Sequence, residues 1–189
     1  MSRIRVIAGE ARGHKLLQVP GDKTRPITDK VKEALFNIIR QDLPGAEFLD
    51  LFAGTGSVGI EALSQGAEYA LFIDSQSVAV DTIRSNLQST RLSDKAQILP
   101  LDAFAYLSRK PDRSFDYAFI APPQYKKMWS RALYALDQNS NWLKEDAWVI
   151  VQVDPEEFEE IELDNLLEFD QRRYGNTLLV FYEHRDKKD

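Results

Sequence analysis

The chain contains no cysteine and only two histidines, His14 and His184. The first absence removes disulfides, thiolate zinc ligands and a cysteine nucleophile. The second leaves too few imidazoles for a histidine-built centre, so no metal is expected. No apolar run approaches the roughly 18 residues that a membrane-crossing helix needs, so no membrane contact is expected. The first residues, MSRIRVIAGEARG, lack the long apolar stretch of a secretory signal. A cytoplasmic protein is the reading these absences favour. Repeats and low-complexity tracts are missing too. What remains is a chain of 189 residues, 43% of them apolar, enough for one domain with a full core and at most a small appendage.

The net charge of −6 conceals an asymmetry. Residues 1–40 hold nine Lys/Arg against four Asp/Glu, a balance of +5, and the remaining 149 hold fifteen against twenty-six, a balance of −11. A basic arm on an acidic body fits a polyanion met by the arm alone, and it equally fits an ordinary solvated N-terminus. Charge by itself leaves both open. The nine acids within residues 154–170 read as a solvated face.

IRVIAG (4–9) and HKLLQV (14–19) predict a short hairpin around Glu10 to Gly13. PGDKTRP (20–26) is a loop, and Thr28 is placed to cap a helix to about Arg40 with Val31, Ala34, Leu35 and Ile38 on its apolar face. From Glu47 onward, short apolar strands alternate with amphipathic helices, which predicts a parallel sheet covered on both faces. The stretch LLEFDQRRYGNTLLVFYEH reads as two strands with no helix between them, hence an antiparallel edge pair. The expected architecture is α/β: a mostly parallel seven-stranded sheet with an antiparallel C-terminal hairpin, in a domain over 45–189. A basic hairpin-plus-helix extension over 1–44 precedes it. Five parallel strands followed by such a hairpin resemble the Rossmann-like fold of S-adenosylmethionine (SAM) methyltransferases.

DLFAGTGSVG (50–59) satisfies Gly-x-Gly-x-x-Gly through Gly54, Gly56 and Gly59, and Asp74 follows Gly54 by 20 residues at the end of the next strand. Taken mechanically this is a dinucleotide fingerprint; a glycine turn serving only close strand–helix packing is the bland alternative. Charge separates the candidate cofactors. A dinucleotide brings an anionic pyrophosphate to the helix N-terminus, where Asp50 would repel it, whereas SAM brings an ammonium and a sulfonium that suit a carboxylate. Asp74 is placed to accept from ribose hydroxyls. Asp102, in LDAF, is placed to accept from an adenine amino group, or to cap its helix, or both. A nicotinamide-dependent oxidoreductase is thereby disfavoured. Phe52 and Ala103 complete the candidate cofactor set of Asp50, Gly54, Gly56, Asp74 and Asp102.

After the apolar run Phe115 to Ile120 comes APPQY, residues Ala121, Pro122, Pro123, Gln124 and Tyr125. Two prolines stiffen the loop, so its carbonyls can be aimed at a substrate. The bland reading is a rigid strand-to-helix connection. Enzymes that methylate an exocyclic amine often carry such a loop; the amine lone pair is delocalised, and the amine must be held in line with the methyl, about 3 Å away. Gln124 can lend an amide oxygen, and Tyr125 or Trp129 can stack on an extruded base; Trp129 reads better as part of the packed helix face. For the phosphates of a polyanion such as a nucleic acid, the candidates are Arg12, Lys15, Arg25 and Lys30.

IAGEARGHKL, TRPITDKVKEALFNI, FLDLFAGTGSVGIEALSQGA, the Pro-Pro loop and RRYGNTLLVFY occur in the order seen in RsmD-type methyltransferases. The chain resembles that family along nearly its whole length. The resemblance implies SAM-dependent methylation of the exocyclic N2 of a guanine in 16S rRNA, with the small ribosomal subunit as partner and the Pro-Pro loop presenting the target base. It places Asp50, Gly54, Gly56, Asp74 and Asp102 around the cofactor. A monomer is expected. The family pattern has Asp or Asn where Ala121 stands, and an aromatic directly after the prolines where Gln124 stands. Two rivals follow from that departure and from shared loop chemistry: a ribosome-assembly protein that binds SAM and RNA with weak or no catalysis, and an adenine-N6 nucleic-acid methyltransferase.

Overall fold

The computed structural model describes residues 4–21, 26–124 and 127–185. Thr28 caps α1 (Asp29–Ile39), its hydroxyl accepting from Val31 N at 3.3 Å. The sheet alternates with helices as β1 (Glu47–Asp50), α2 (Ser57–Ser64), β2 (Tyr69–Asp74), α3 (Ser77–Thr90), β3 (Ala96–Pro100), α4 (Ala103–Leu107), β4 (Phe115–Ile120), α5 (Met128–Gln138) and β5 (Leu143–Val153). The chain closes on β6 (Leu166–Tyr174) and β7 (Thr177–His184).

The seven strands lie in the order β3-β2-β1-β4-β5-β7-β6. β1 to β5 pair in parallel, and β7 is antiparallel to both β5 and β6. This is the expected Rossmann-like arrangement. Strands β2 and β3 lie on one side of β1, and β4 and β5 on the other. The order therefore reverses between β1 and β4, and a crevice opens there at the carboxyl ends of the strands.

One face of the sheet is covered by α1, α2, α3 and the N-terminal extension, whose Ile4, Val6, Ala11 and Leu16 join Phe36, Phe48 and Phe72 in a single buried cluster. The opposite face packs against α4 and α5. There the acid-rich stretch lays Phe158, Ile161 and Leu163 on the core, with Phe158 stacked on Trp129 at 5.8 Å. The solvated face expected for 154–170 thus has an apolar side. No described helix is long and apolar enough to cross a membrane.

Two local expectations need correction. The N-terminal hairpin reduces to one bridge, Arg5 to Lys15, closed by Val6 N donating to His14 O at 2.9 Å and Leu16 N to Ile4 O at 2.8 Å. Its backbone is engaged by helix side chains instead of by a longer ladder. The inner face of α1 is also rotated. Val31 and Leu35 are buried as expected, but Lys32, Phe36 and Ile39 complete the face, and Ala34 and Ile38 are only half-buried. The cause is what α1 meets: Phe36 stacks on Phe48 of β1 at 6.5 Å, and Lys32 turns inward to Glu61 of α2.

Candidate active site

A cleft of about 700 Å³ occupies the switch point. Much of its wall is made of strand ends and the loops after them. β1 delivers Asp50 and Phe52, the glycine loop delivers Gly54, and β2 delivers Asp74. The turn after β3 delivers Asp102 and Ala103. The loop after β4 delivers Ala121, Pro122, Pro123 and Gln124. Cofactor candidates and loop candidates, far apart in the chain, thus face one space.

Asp50 is 2% exposed and accepts from Gly59 N at 3.2 Å. Burial pushes its carboxyl up to about 7, with the hydrogen bond from Gly59 opposing and the charge of Asp74 adding to the rise. Gly59 has no room for a side chain, since a Cβ there would lie 2.3 Å from the Phe72 ring. That close approach of α2 to β2 sets the Gly59 amide against Asp50. An amide in the first turn of α2 is therefore already held by an internal carboxylate, in the position where a dinucleotide enzyme would turn toward phosphate.

Asp74 ties the glycine loop to the second strand, one oxygen accepting from Gly54 N and the other from Gln76 N, both at 2.9 Å. Gly56, the residue before α2, adopts φ 77°, a left-handed conformation that favours glycine. It is not among the residues lining the cleft; its part is to turn the chain. Asp102 caps α4, accepting from Phe104 N at 2.9 Å and Ala105 N at 3.0 Å through one oxygen. The other oxygen takes no part in the cap, so the capping and cofactor roles are compatible.

The N-terminal extension also reaches this space, through Gln18, Val19, Pro26 and Ile27. From the far side come Gln152, Asp154, Glu157 and Asn176. None of these was legible as a site residue, because they belong to segments remote in sequence from the glycine loop and the Pro-Pro loop. Trp129 borders the cleft but is 2% exposed and stacked on Phe158, so it is a packed residue. Arg12, Lys15 and Lys30 are exposed and form no ion pair among the described residues. Arg25 and Tyr125 lie outside the described residues.

The chemistry of this lining is specific. Three carboxylates at successive strand ends suit a ligand with a cationic end, hydroxyls and an amino-bearing base. The lining thus fits SAM.

The profile of the family described as Conserved hypothetical protein 95 matches residues 4–183. The Ribosomal RNA small subunit methyltransferase D of Haemophilus influenzae is 34% identical over 153 residues, covering 80% of this chain and 79% of that protein. Its namesake in Escherichia coli K12 is 32% identical over 154 residues, covering 82% and 76%. Among solved structures, the yhhF protein of Escherichia coli superposes with a TM-score of 0.86 at 28% identity, over 97% of this chain and 98% of that one.

Proposed function

Because the chain belongs to the Conserved hypothetical protein 95 family, the family of the small-subunit ribosomal RNA methyltransferases D, we propose that it methylates ribosomal RNA with SAM as the methyl donor. More finely, the acceptor is the exocyclic N2 of a guanine in 16S rRNA, met within the small ribosomal subunit. The observation that carries this reading is the shared cleft: the acids of β1, β2 and α4 face the Ala121-Pro122-Pro123 turn across one cavity.

When bound, SAM supplies an electrophilic methyl group on a positively charged sulfur. The chain's own residues do the rest. Asp50, buried and holding its proton up to about pH 7 in the free protein, becomes a favourable partner for the cationic end of the cofactor once ionised. Asp74 accepts from ribose hydroxyls while its bonds to Gly54 and Gln76 keep the glycine loop in place. Asp102, with Ala103 beside it, receives the adenine amine. The prolines, which lack N–H groups, present only carbonyls, and those of Ala121 and Pro122 are available to accept from an amine. Holding that amine in line with the methyl is the largest contribution, up to about 7–11 kcal/mol from proximity and orientation. The exposed Arg12, Lys15 and Lys30, with Arg25, contact RNA phosphates and set the register of the substrate.

The methyl side chain at position 121 favours a second reading, an assembly protein that binds SAM and RNA with little or no transfer. Single-turnover transfer from labelled SAM to small subunits that lack the modification separates the two. Methyl incorporation, located at a guanine N2 by mass spectrometry of the rRNA, supports the first. Retained SAM binding without incorporation promotes the second.

A further inference from the structure

We propose that the side-chain amide of Gln152 receives the hydrogen bond of the acceptor amine, a role the methyl group of Ala121 cannot take. The proposal rests on the methyl-transfer reading above and names the group that selects its substrate.

The sheet register brings the two positions together. β4 and β5 run parallel with Phe119 paired to Ile150 and Ile120 to Val151; one step further are Ala121 and Gln152. Side chains alternate along a strand, so Phe119 and Ala121 share a face with Ile150 and Gln152 on the neighbouring strand. Phe119, Ile150 and, at its margin, Ala121 belong to the cluster on that face. Ala121 and Gln152 both line the cleft. Where position 121 offers only a methyl group, the adjacent strand supplies a longer polar side chain at the same level of the sheet.

Gln152 is also uncommitted. Its buried Oε1 has no hydrogen-bond partner among the described residues, a costly state for an amide oxygen. The terminal amide torsion is broad and roughly two-fold, so a half-turn exchanges oxygen and nitrogen and offers the oxygen to a ligand. Several other acceptors of the cleft already carry hydrogen bonds. Asp74 holds Gly54 and Gln76, Asp102 caps α4, and Asp154 holds Glu156 N at 2.9 Å. Gln124 and Asn176 are exposed side chains.

A neutral amide suits this task. Accepting from one N–H draws electron density onto the nitrogen without competing for its lone pair. The lone pair forms the new bond to the methyl carbon as the carbon–sulfur bond breaks toward sulfur, leaving a neutral thioether. The methylated nitrogen then releases one proton to water. Gln152 orients the amine and takes no proton. The ligand class is therefore a nucleobase edge that donates through an amine.

The test compares short single-stranded RNAs with guanosine or inosine at the centre, inosine lacking only the amine, binding to the full chain in the presence of S-adenosylhomocysteine. The natural protein is expected to favour guanosine about tenfold, and Gln152→Leu to cut that preference sharply, the carbonyls of Ala121 and Pro122 keeping the remainder. S-adenosylhomocysteine affinity and unfolding temperature should be retained, with Gln152→Met standing in if leucine lowers the latter. Adding Ala121→Asn to Gln152→Leu should restore part of the preference, which a merely structural role would not produce. The proposal is overturned if Gln152→Leu discriminates as the natural protein does, or if the natural protein discriminates neither guanosine from inosine nor adenosine from purine riboside. A Gln152-dependent preference seen only for adenosine upholds the amine contact and removes the guanine reading. If the natural protein transfers no methyl to small subunits, the reading above falls, while the paired RNAs still decide Gln152.

Discussion

A carboxyl group with almost no access to water stands at the floor of the cleft. Asp50, with its carboxyl raised to about 7, holds a proton between pH 4 and 7 that the unfolded chain has already released. Stability of the free protein should therefore fall as pH rises through that window and level off above it. Asp50→Asn should remove this dependence and leave the ligand-free protein more stable than the natural one above pH 7, as read by thermal unfolding from pH 4 to 8. Binding of a cation reverses the sign. Affinity for S-adenosylhomocysteine should climb with pH up to about 7, by at most about tenfold per unit, and the Asn variant should bind weakly without that climb. Asp74→Ala should weaken the same ligand by about 1–3 kcal/mol, since it removes both the acceptor for the hydroxyls and the anchor of the glycine loop. Calorimetry measures both; binding of a nicotinamide dinucleotide in preference would refute the cofactor assignment.

At the scale of elements, the N-terminal extension is fastened to α2 and α3 by buried polar groups. Glu61 is 0% exposed and accepts from Ile7 N at 2.9 Å and Ala8 N at 3.0 Å. It also pairs with the equally buried Lys32 at 3.4 Å. Burial lowers the Lys32 pKa, with Glu61 opposing that shift. Ser64 receives Ala11 N at 2.9 Å and donates to Ala8 O at 2.6 Å, and Asn86 of α3 receives Leu17 N at 2.7 Å. Glu61→Ala strands Lys32 and two backbone amides, so it should cost about 3–5 kcal/mol. Gly9 sits so close to α2 that a Cβ would lie 1.8 Å from Ser64 O, at φ 83°. Gly9→Ala should therefore undock the extension, seen as faster hydrogen exchange at the amides of Ile7, Ala8 and Glu10. Because Val19 and Ile27 line the cleft, the same change should lower methyl transfer.

For the whole molecule, charge is divided between a basic arm and an acidic body. Replacing Arg12, Lys15 and Lys30 together by Ala should weaken binding to small subunits. It should also flatten the salt dependence of that binding, by about 0.7–0.9 in log–log slope for each phosphate no longer neutralised. Affinity for S-adenosylhomocysteine should be unchanged. Equal binding by the triple variant at every salt concentration would reduce the arm's charge to ordinary surface.

Much of this was open to reading from the chain alone. The alternation of strands and helices, the terminal hairpin, the glycine turn and the acids at three strand ends are local patterns. They depend on side-chain period, backbone freedom and capping, which neighbouring residues determine among themselves. The inward turn of Lys32 reads in sequence as an exposed helix residue, because its partner Glu61 lies 29 positions away. Gln152 reads as a stray polar residue in the apolar run AWVIVQV; its place beside Ala121 comes from the β4–β5 register. The docking of the extension onto α2, and its share in the cleft wall, likewise depend on contacts between remote segments. Such contacts are chosen by the packing of the whole sheet, and no local pattern encodes them.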